Sequence, residues 1–220
     1  MVNVVYTHRT YHDVLEKWMV CNSQFSPVKD FVVFSDAEFL NSKTALYDNS
    51  WGYSKRLLSC LMEVSSDYIL YQHEDMLLHE APDTTHFNEC LNAIRTFDFV
   101  RLSHTGNPDK IVSESPIVEL CGQEFFAIQP TIWKRKSLIS LLESCGECDM
   151  YSLETKHKKD FPEIRGGMWG CTKEKVGGHY RSTAWPYIAT AIVKGVWNTS
   201  EYKREIDNLG ISTSERGTNG

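Results

Sequence analysis

An α/β fold, with a central and mostly parallel sheet flanked by helices, follows from three observations on this sequence. Three short apolar runs rich in β-formers, at residues 2–7, 30–35 and 67–72, fall within the first 75 residues. The segments between them carry apolar residues at helical spacing, which is the pattern of parallel strands joined by crossover helices. The third run, Asp67-Tyr68-Ile69-Leu70-Tyr71-Gln72, leads straight into acid, His73-Glu74-Asp75, before Met76-Leu77-Leu78. Open α/β sheets place their chemistry in the crevice outside the carboxyl ends of such strands.

Taken in order, residues 2–7 read as a strand, and residues 11–22 as a helix with Val14, Leu15, Trp18 and Met19 on one side. Residues 30–35 form a second buried strand closed by Asp36. Asn49-Ser50 can cap a helix over 51–64, where Leu57, Leu58, Leu61 and Met62 make an apolar face. The acid-ended strand comes third. After Pro82-Asp83 an amphipathic stretch at 87–97 leads into a fourth strand at 98–103, then a polar, turn-rich loop at 104–116. Short strands at 118–121 and 124–128, antiparallel in character, precede a helix at 134–143. Residues 166–178 are glycine-dense, and the chain fades into polar residues after 201. There is no internal repeat. One domain over residues 1–207 with a polar, flexible tail at 208–220 is expected.

Composition excludes several classes. With 41% hydrophobic and 12% aromatic residues the chain folds and is not disordered. A net charge of −6 with scattered basic residues argues against a nucleic-acid-binding face. No apolar stretch approaches the roughly 18 residues needed to span a bilayer. Met1-Val2-Asn3-Val4-Val5 has no charged segment ahead of a long apolar core, so a soluble, cytoplasmic protein is expected. Seven cysteines at irregular spacing argue against a disulfide framework. Cys145-Gly-Glu-Cys148 lacks a second pair for zinc and reads as two reduced thiols. Asn198-Thr-Ser200 matches a glycosylation acceptor, which without a secretion signal is a chance match.

Glu74 and Asp75 sit between two apolar runs, where an exposed loop would be polar. A divalent ion carrying a diphosphate wants one or two such carboxylates, with phosphate and water completing its shell. The bland alternative is a pair of solvated strand-end acids. Asp36, which closes the second strand, can hold a base or ribose through its carboxylate, or be a solvated loop charge.

The N-terminal α/β half, Tyr71-Gln72-His73-Glu74-Asp75, then Phe126-Ala127-Ile128-Gln129-Pro130-Thr131-Ile132-Trp133-Lys134, and Asp149-Met-Tyr-Ser-Leu-Glu154 together resemble a small GT-A glycosyltransferase. The chain is most similar to compact stand-alone transferases of large algal DNA viruses and bacterial polysaccharide clusters, over roughly residues 2–200. A viral origin would place it in the host cytosol.

The resemblance implies a Mn²⁺ or Mg²⁺ ion, a GDP- or UDP-linked hexose or deoxyhexose as donor and a glycan hydroxyl as acceptor. In such enzymes an Asp-x-Asp-like motif holds the metal. Here His73 stands first, which leaves Asp75 as the direct ligand and Glu74 in support or on the sugar. A late histidine often adds a second ligand, and His179, after Gly177-Gly178 and before Tyr180-Arg181, is the candidate. Thr7, His8, Arg9 and Tyr11 of the first turn, with Asp36, would form the donor floor, and Arg56, after Trp51, Ser54 and Lys55, would reach the diphosphate or ribose. Arg181 would add a further cation. An inverting transfer needs a base; Glu154 takes that role by resemblance, with Asp149 as the alternative, and either can instead be a helix cap. Trp133 and Trp169 are acceptor-side candidates or core residues.

Two other functions fit the same front half. A sugar-nucleotidyltransferase would carry a glycine-rich basic loop after the first strand, and residues 7–11 contain no glycine. A non-catalytic nucleotide-sugar-binding module would be marked by His73 as lost metal chemistry.

Overall fold

The computed structural model describes residues 1–40, 42–104, 116–121, 125–156, 158–170, 175–176 and 179–220. Its centre is an eight-stranded sheet of order β3-β2-β1-β4-β7-β5-β8-β6. The strands are β1 (Val2–Tyr6), β2 (Phe31–Ser35), β3 (Thr44–Leu46), β4 (Tyr68–His73), β5 (Phe99–Arg101), β6 (Ile117–Leu120), β7 (Thr131–Lys134) and β8 (Gly166–Trp169). β3, β2, β1 and β4 run parallel, β7 is antiparallel to both β4 and β5, and β8 is parallel to β5 and antiparallel to β6. Among the described residues two short antiparallel strand pairs lie outside it: β9 (Lys175–Val176) with β10 (His179–Tyr180), and the hairpin of β11 (Ile192–Val193) with β12 (Val196–Trp197).

The period of two in the strands sorts the core onto two faces. Val5, Val33, Leu70, Val100 and Ile132 face one side, packed under α1 (His12–Phe25), α3 (Thr84–Ala93) and α6 (Thr199–Asn208). Val4, Val32, Ile69, Tyr71, Phe99 and Trp133 face the other, under α2 (Tyr53–Leu61), α4 (Arg135–Cys145) and α5 (Met150–Glu154). Parallel strands buried on both faces read as near-continuous apolar runs, which is how β1, β2 and β4 appear in the sequence. Between α1 and the sheet the buried Asn3 donates to Asn22 Oδ1 at 2.9 Å and to the Val28 carbonyl at 2.7 Å. Gln72 donates to Asn3 Oδ1 at 3.2 Å, so a polar seam ties β1, β4 and α1 together.

Some elements depart from expectation. β3 is three residues long, too short to stand out as a run. The helix from 51 starts at Tyr53 behind Gly52, and Met62 beyond its end is exposed, so Cys60 and not Met62 completes the buried face. Residues 125–128 are not a strand: Phe125 and Phe126 are both fully buried, so the segment lacks alternation, and the strand forms instead at β7. The expected loop at 104–116 falls mostly outside the described residues. Part of the glycine-dense segment is β8, where a side chain at Gly166 would place its Cβ 2.2 Å from the Phe99 ring.

The expected boundary at 207/208 falls inside α6. Beyond it residues 211–220 return to the body, Ile211 packing against the core. Trp197 N–H donates to the Gly217 carbonyl at 3.0 Å, and Asn219 N–H donates back to the Trp197 carbonyl at 3.1 Å. Gly217 makes the turn at φ +71°, a conformation that suits glycine. No described helix is long and apolar enough to cross a membrane. Cys145 and Cys148 are free thiols.

Candidate functional site

The crevice is set by topology. From β1 the chain passes through α1 to β2 on one side, whereas from β3 it passes through α2 to β4 on the opposite side of β1. The order therefore reverses between β1 and β4, and ligands of open α/β sheets bind at such a switch point, beyond the strand ends. The last register pair there is Tyr6 with His73. Residues 7–11 and the acids Glu74 and Asp75 emerge side by side.

His73 does not turn toward the crevice. Its ring stacks on Tyr6 with centroids 5.1 Å apart, and its Nε2 lies 2.8 Å from the Tyr53 hydroxyl and 3.0 Å from the Tyr71 hydroxyl. Burial pushes its pKa down to about 3, so the imidazole is neutral. Being two residues from Tyr71 on one strand, His73 shares its face of the sheet. The structure gives it a tyrosine cluster, not a place beside Asp75.

Glu74 is buried, with its N–H donating to the Tyr6 carbonyl at 3.3 Å. Burial first, and the neighbouring Asp75 second, hold its carboxyl far above the usual range, and the Arg216 guanidinium opposes them. Asp75 keeps part of its surface in solvent, yet burial raises it to about 7. Its carbonyl accepts the Ala191 N–H at 3.1 Å, which places the β11–β12 hairpin directly against the acid pair. Asp75 is thus a carboxylate at the crevice mouth that would gain from a cation.

The first turn is closed on itself. Asp36 accepts Arg9 N–H at 2.8 Å and Arg9 Nε at 2.6 Å, and His8 Nε2 is 3.1 Å away. Two donor-floor candidates therefore meet each other, and the Asp36 carboxylate is engaged by protein. His8 Nδ1 is bonded to Thr10, and the Thr7 carbonyl accepts the Tyr47 hydroxyl at 2.6 Å. Arg56 donates to the carbonyls of Trp51 and Asn49, both at 2.6 Å, and lies over the Tyr47 ring. It braces the loop at 47–52, whose Asn49 side chain reaches His8 Nε2 at 3.1 Å. Tyr11 lies under a guanidinium from the chain's far end, Arg216, 4.6 Å from its ring centroid.

Of the two base candidates, Asp149 caps α5, accepting Ser152 N–H at 2.8 Å and the Ser152 hydroxyl at 2.9 Å. Glu154, at the other end of α5, accepts the Ile128 N–H at 3.1 Å. Glu154 and Glu74 both act on the Tyr71 hydroxyl, which burial raises well above its usual pKa and these charges raise further. His179 Nδ1 is 3.4 Å from Gln129 Nε2. Arg181 pairs with Glu205 of α6 and lines a polar cleft of about 410 Å³ with His79, Arg204 and Tyr187. Trp133 and Trp169 are core: Trp133 stacks on Phe99 at 4.2 Å, and both are fully buried.

Sequence reasoning missed Tyr187, whose hydroxyl feels Asp75, and His104, just past the end of β5. The buried Tyr187 bonds Ser103 Oγ at 3.0 Å, and its pKa is raised by burial first and by Asp75 among other groups. His104, just past β5, is 2% exposed, with neither ring nitrogen hydrogen-bonded among the described residues, and meets Tyr180 edge-on at 4.7 Å. The strand-end rule that selected Asp75 would have selected Ser103 and His104 too; nothing local marks Tyr187.

No group of three or more His, Cys, Asp or Glu side chains able to hold a metal exists among the described residues. Among the described residues, therefore, nothing forms a protein cage for a metal. A hard divalent ion held mainly by diphosphate and water, with Asp75 as the protein carboxylate, fits.

No family model and no curated protein matches this sequence. Solved structures do. A CMP:2-keto-3-deoxy-manno-octonic acid synthetase complexed with CTP superposes with TM-score 0.52 at 10% identity, over 76% of this chain and 88% of its own. TarS from S. aureus superposes with TM-score 0.50 at 13% identity, over 82% of this chain and 36% of its own. Mannosyltransferase PcManGT from Pyrobaculum calidifontis, in complex with GDP-Man and Mn²⁺, gives TM-score 0.43 at 15% identity, over 66% and 46%. The first two likenesses, with the sheet order and the switch point, establish the fold: that of nucleotide-diphospho-sugar transferases and nucleotidyltransferases, GT-A-like in its mixed central sheet.

Proposed function

We propose that this chain is a metal-assisted glycosyltransferase, moving a hexose or deoxyhexose from a UDP- or GDP-linked donor to a glycan hydroxyl with inversion. The observation that carries the reading is the emergence of Glu74 and Asp75 at the β1/β4 switch point, beside residues 7–11. A departing nucleoside diphosphate develops negative charge, and a divalent ion supplies the neutralisation when bound. Asp75 holds that ion, with His179 as a candidate second ligand. Residues 7–11 and Tyr47 form the floor under the nucleotide. Glu154, held by the Ile128 N–H, takes the acceptor proton as the hydroxyl attacks. Asp149 is engaged as a cap and is the weaker base candidate.

The fold likeness to the CTP-bound synthetase favours a second reading, nucleotidyl transfer. Against it stands the first turn. Arg9 N–H donates to Asp36, Thr10 N–H to His8 Nδ1 at 3.2 Å and Tyr11 N–H to the His8 carbonyl at 2.8 Å, which leaves no row of amides to cradle a triphosphate.

The two readings separate by product. The chain is incubated with UDP- and GDP-sugars and glycan acceptors, with and without Mn²⁺, and in parallel with nucleoside triphosphates and sugar phosphates. Release of nucleoside diphosphate with glycan extension supports glycosyl transfer. Pyrophosphate release from a triphosphate replaces it with the second reading, and binding without turnover in either arm leaves a non-catalytic module.

A further inference from the structure

The chain's last ten residues deliver a guanidinium to the crevice. Arg216 Nε donates to Asp13 Oδ2 at 2.5 Å and its Nη2 to Asp13 Oδ1, a forked pair with a carboxylate on the first turn of α1. Nη2 also donates to the Thr10 carbonyl, and Nη1 reaches the Gly195 carbonyl of the β11–β12 hairpin at 3.4 Å. The guanidinium lies over the Tyr11 ring, and its side chain is 15% exposed. One side chain thus joins three segments that border the acid pair: the first turn, the start of α1 and the hairpin, whose preceding residue, Ala191, bonds Asp75. The strap that carries it is pinned by the Trp197–Gly217 bond and by Asn219, whose Oδ1 accepts the Ser200 N–H at 3.0 Å.

We propose that Arg216 is a positioning residue of the nucleotide-binding crevice, locking residues 7–13 onto the hairpin beside Asp75. Its donors are directed at Asp13, Thr10 and Gly195, and its charge is balanced by Asp13, so it acts through the turn and not by gripping a phosphate. Arginine is required because a lysine ammonium cannot make the planar fork to Asp13 while stacking on Tyr11. The nucleotide part of the proposal rests on the donor-binding reading above.

The test uses the full chain as Arg216→Ala, Arg216→Lys and Asp13→Asn, with circular dichroism confirming the fold. Amide hydrogen exchange is followed by mass spectrometry, and calorimetry measures UDP and GDP binding with and without Mn²⁺. Exchange over residues 7–13 should rise about tenfold or more in Arg216→Ala, with β2 and β4 unchanged. Arg216→Lys should restore little of it, and nucleotide Kd should rise about tenfold. Unchanged exchange at 7–13, full restoration by lysine, or acceleration spread evenly over the chain overturns the proposal. If Arg216→Ala does not fold, Asp13→Asn breaks the same fork from α1 and must give the same local signature. If the parent chain binds neither UDP nor GDP while exchange responds locally, the donor-binding reading fails and the locking of the turn stands.

Discussion

Tyr6 and His73 end the two central parallel strands as register partners, with their rings stacked 5.1 Å apart. The stack closes the ends of these strands, and the His73 imidazole is turned onto the Tyr53 and Tyr71 hydroxyls. The first residue of the acidic motif is thus held by a cluster of tyrosines.

His73→Ala should destabilise the fold: the Tyr53 and Tyr71 hydroxyls still bond each other, but one of them loses the imidazole nitrogen that accepts its proton, at about 1–3 kcal/mol for an unsatisfied buried group. Thermal unfolding should show the loss, and any Mn²⁺ dependence of nucleotide binding should survive in the folded fraction. A stable variant lacking metal dependence would place His73 in the ligand set.

Asp75→Ala should abolish transfer and weaken Mn²⁺-dependent binding of nucleoside diphosphate without lowering stability. The carboxyl is held up to about 7 by burial, so the folded state gains little from its charge. Calorimetry on the parent and the variant, with and without metal, checks this; equal affinities in all four titrations remove Asp75 from the metal site.

Glu154→Gln should keep donor affinity and lose on the order of 10²- to 10⁴-fold in turnover, as removal of a general base does. Asp149→Asn weakens a cap and should leave turnover near that of the parent. The reverse ranking in initial-rate measurements moves the base to Asp149, and a product that retains the donor's anomeric configuration discards inversion.

Asp36 supplies a pH dependence. Burial alone would raise its carboxyl, but the hydrogen bonds from Arg9 and the charge of His8 bring it below the ordinary value. Its stabilising contribution is present above the unfolded pKa of about 3.9 and is lost as pH falls through the lower folded value. The melting-temperature gap between the parent and Asp36→Asn should be full at neutral pH and close in acid. A gap that widens on acidification refutes the assignment.

Local pattern carried the sequence reading as far as local physics reaches. The apolar runs of β1, β2 and β4, the helices between them and the acids at the end of β4 are legible because strand and helix periods are properties of neighbouring residues. The side of the sheet taken by His73 is legible too, from its parity with Tyr71.

What tertiary structure alone decided are the pairings across long loops. The adjacency of β1 and β4 makes the crevice, Asp36 is engaged by Arg9, Arg56 braces the loop at 47–52, and of the two roles open to Trp133 and Trp169 the fold takes the core. Arg216 reaches Asp13 from the other end of the chain, and Tyr187 comes to Ser103 near Asp75. No residue in those pairs carries a periodic signal for its partner. Each contact exists because burying the two sheet faces fixes where the loops must return, and that constraint belongs to the whole fold.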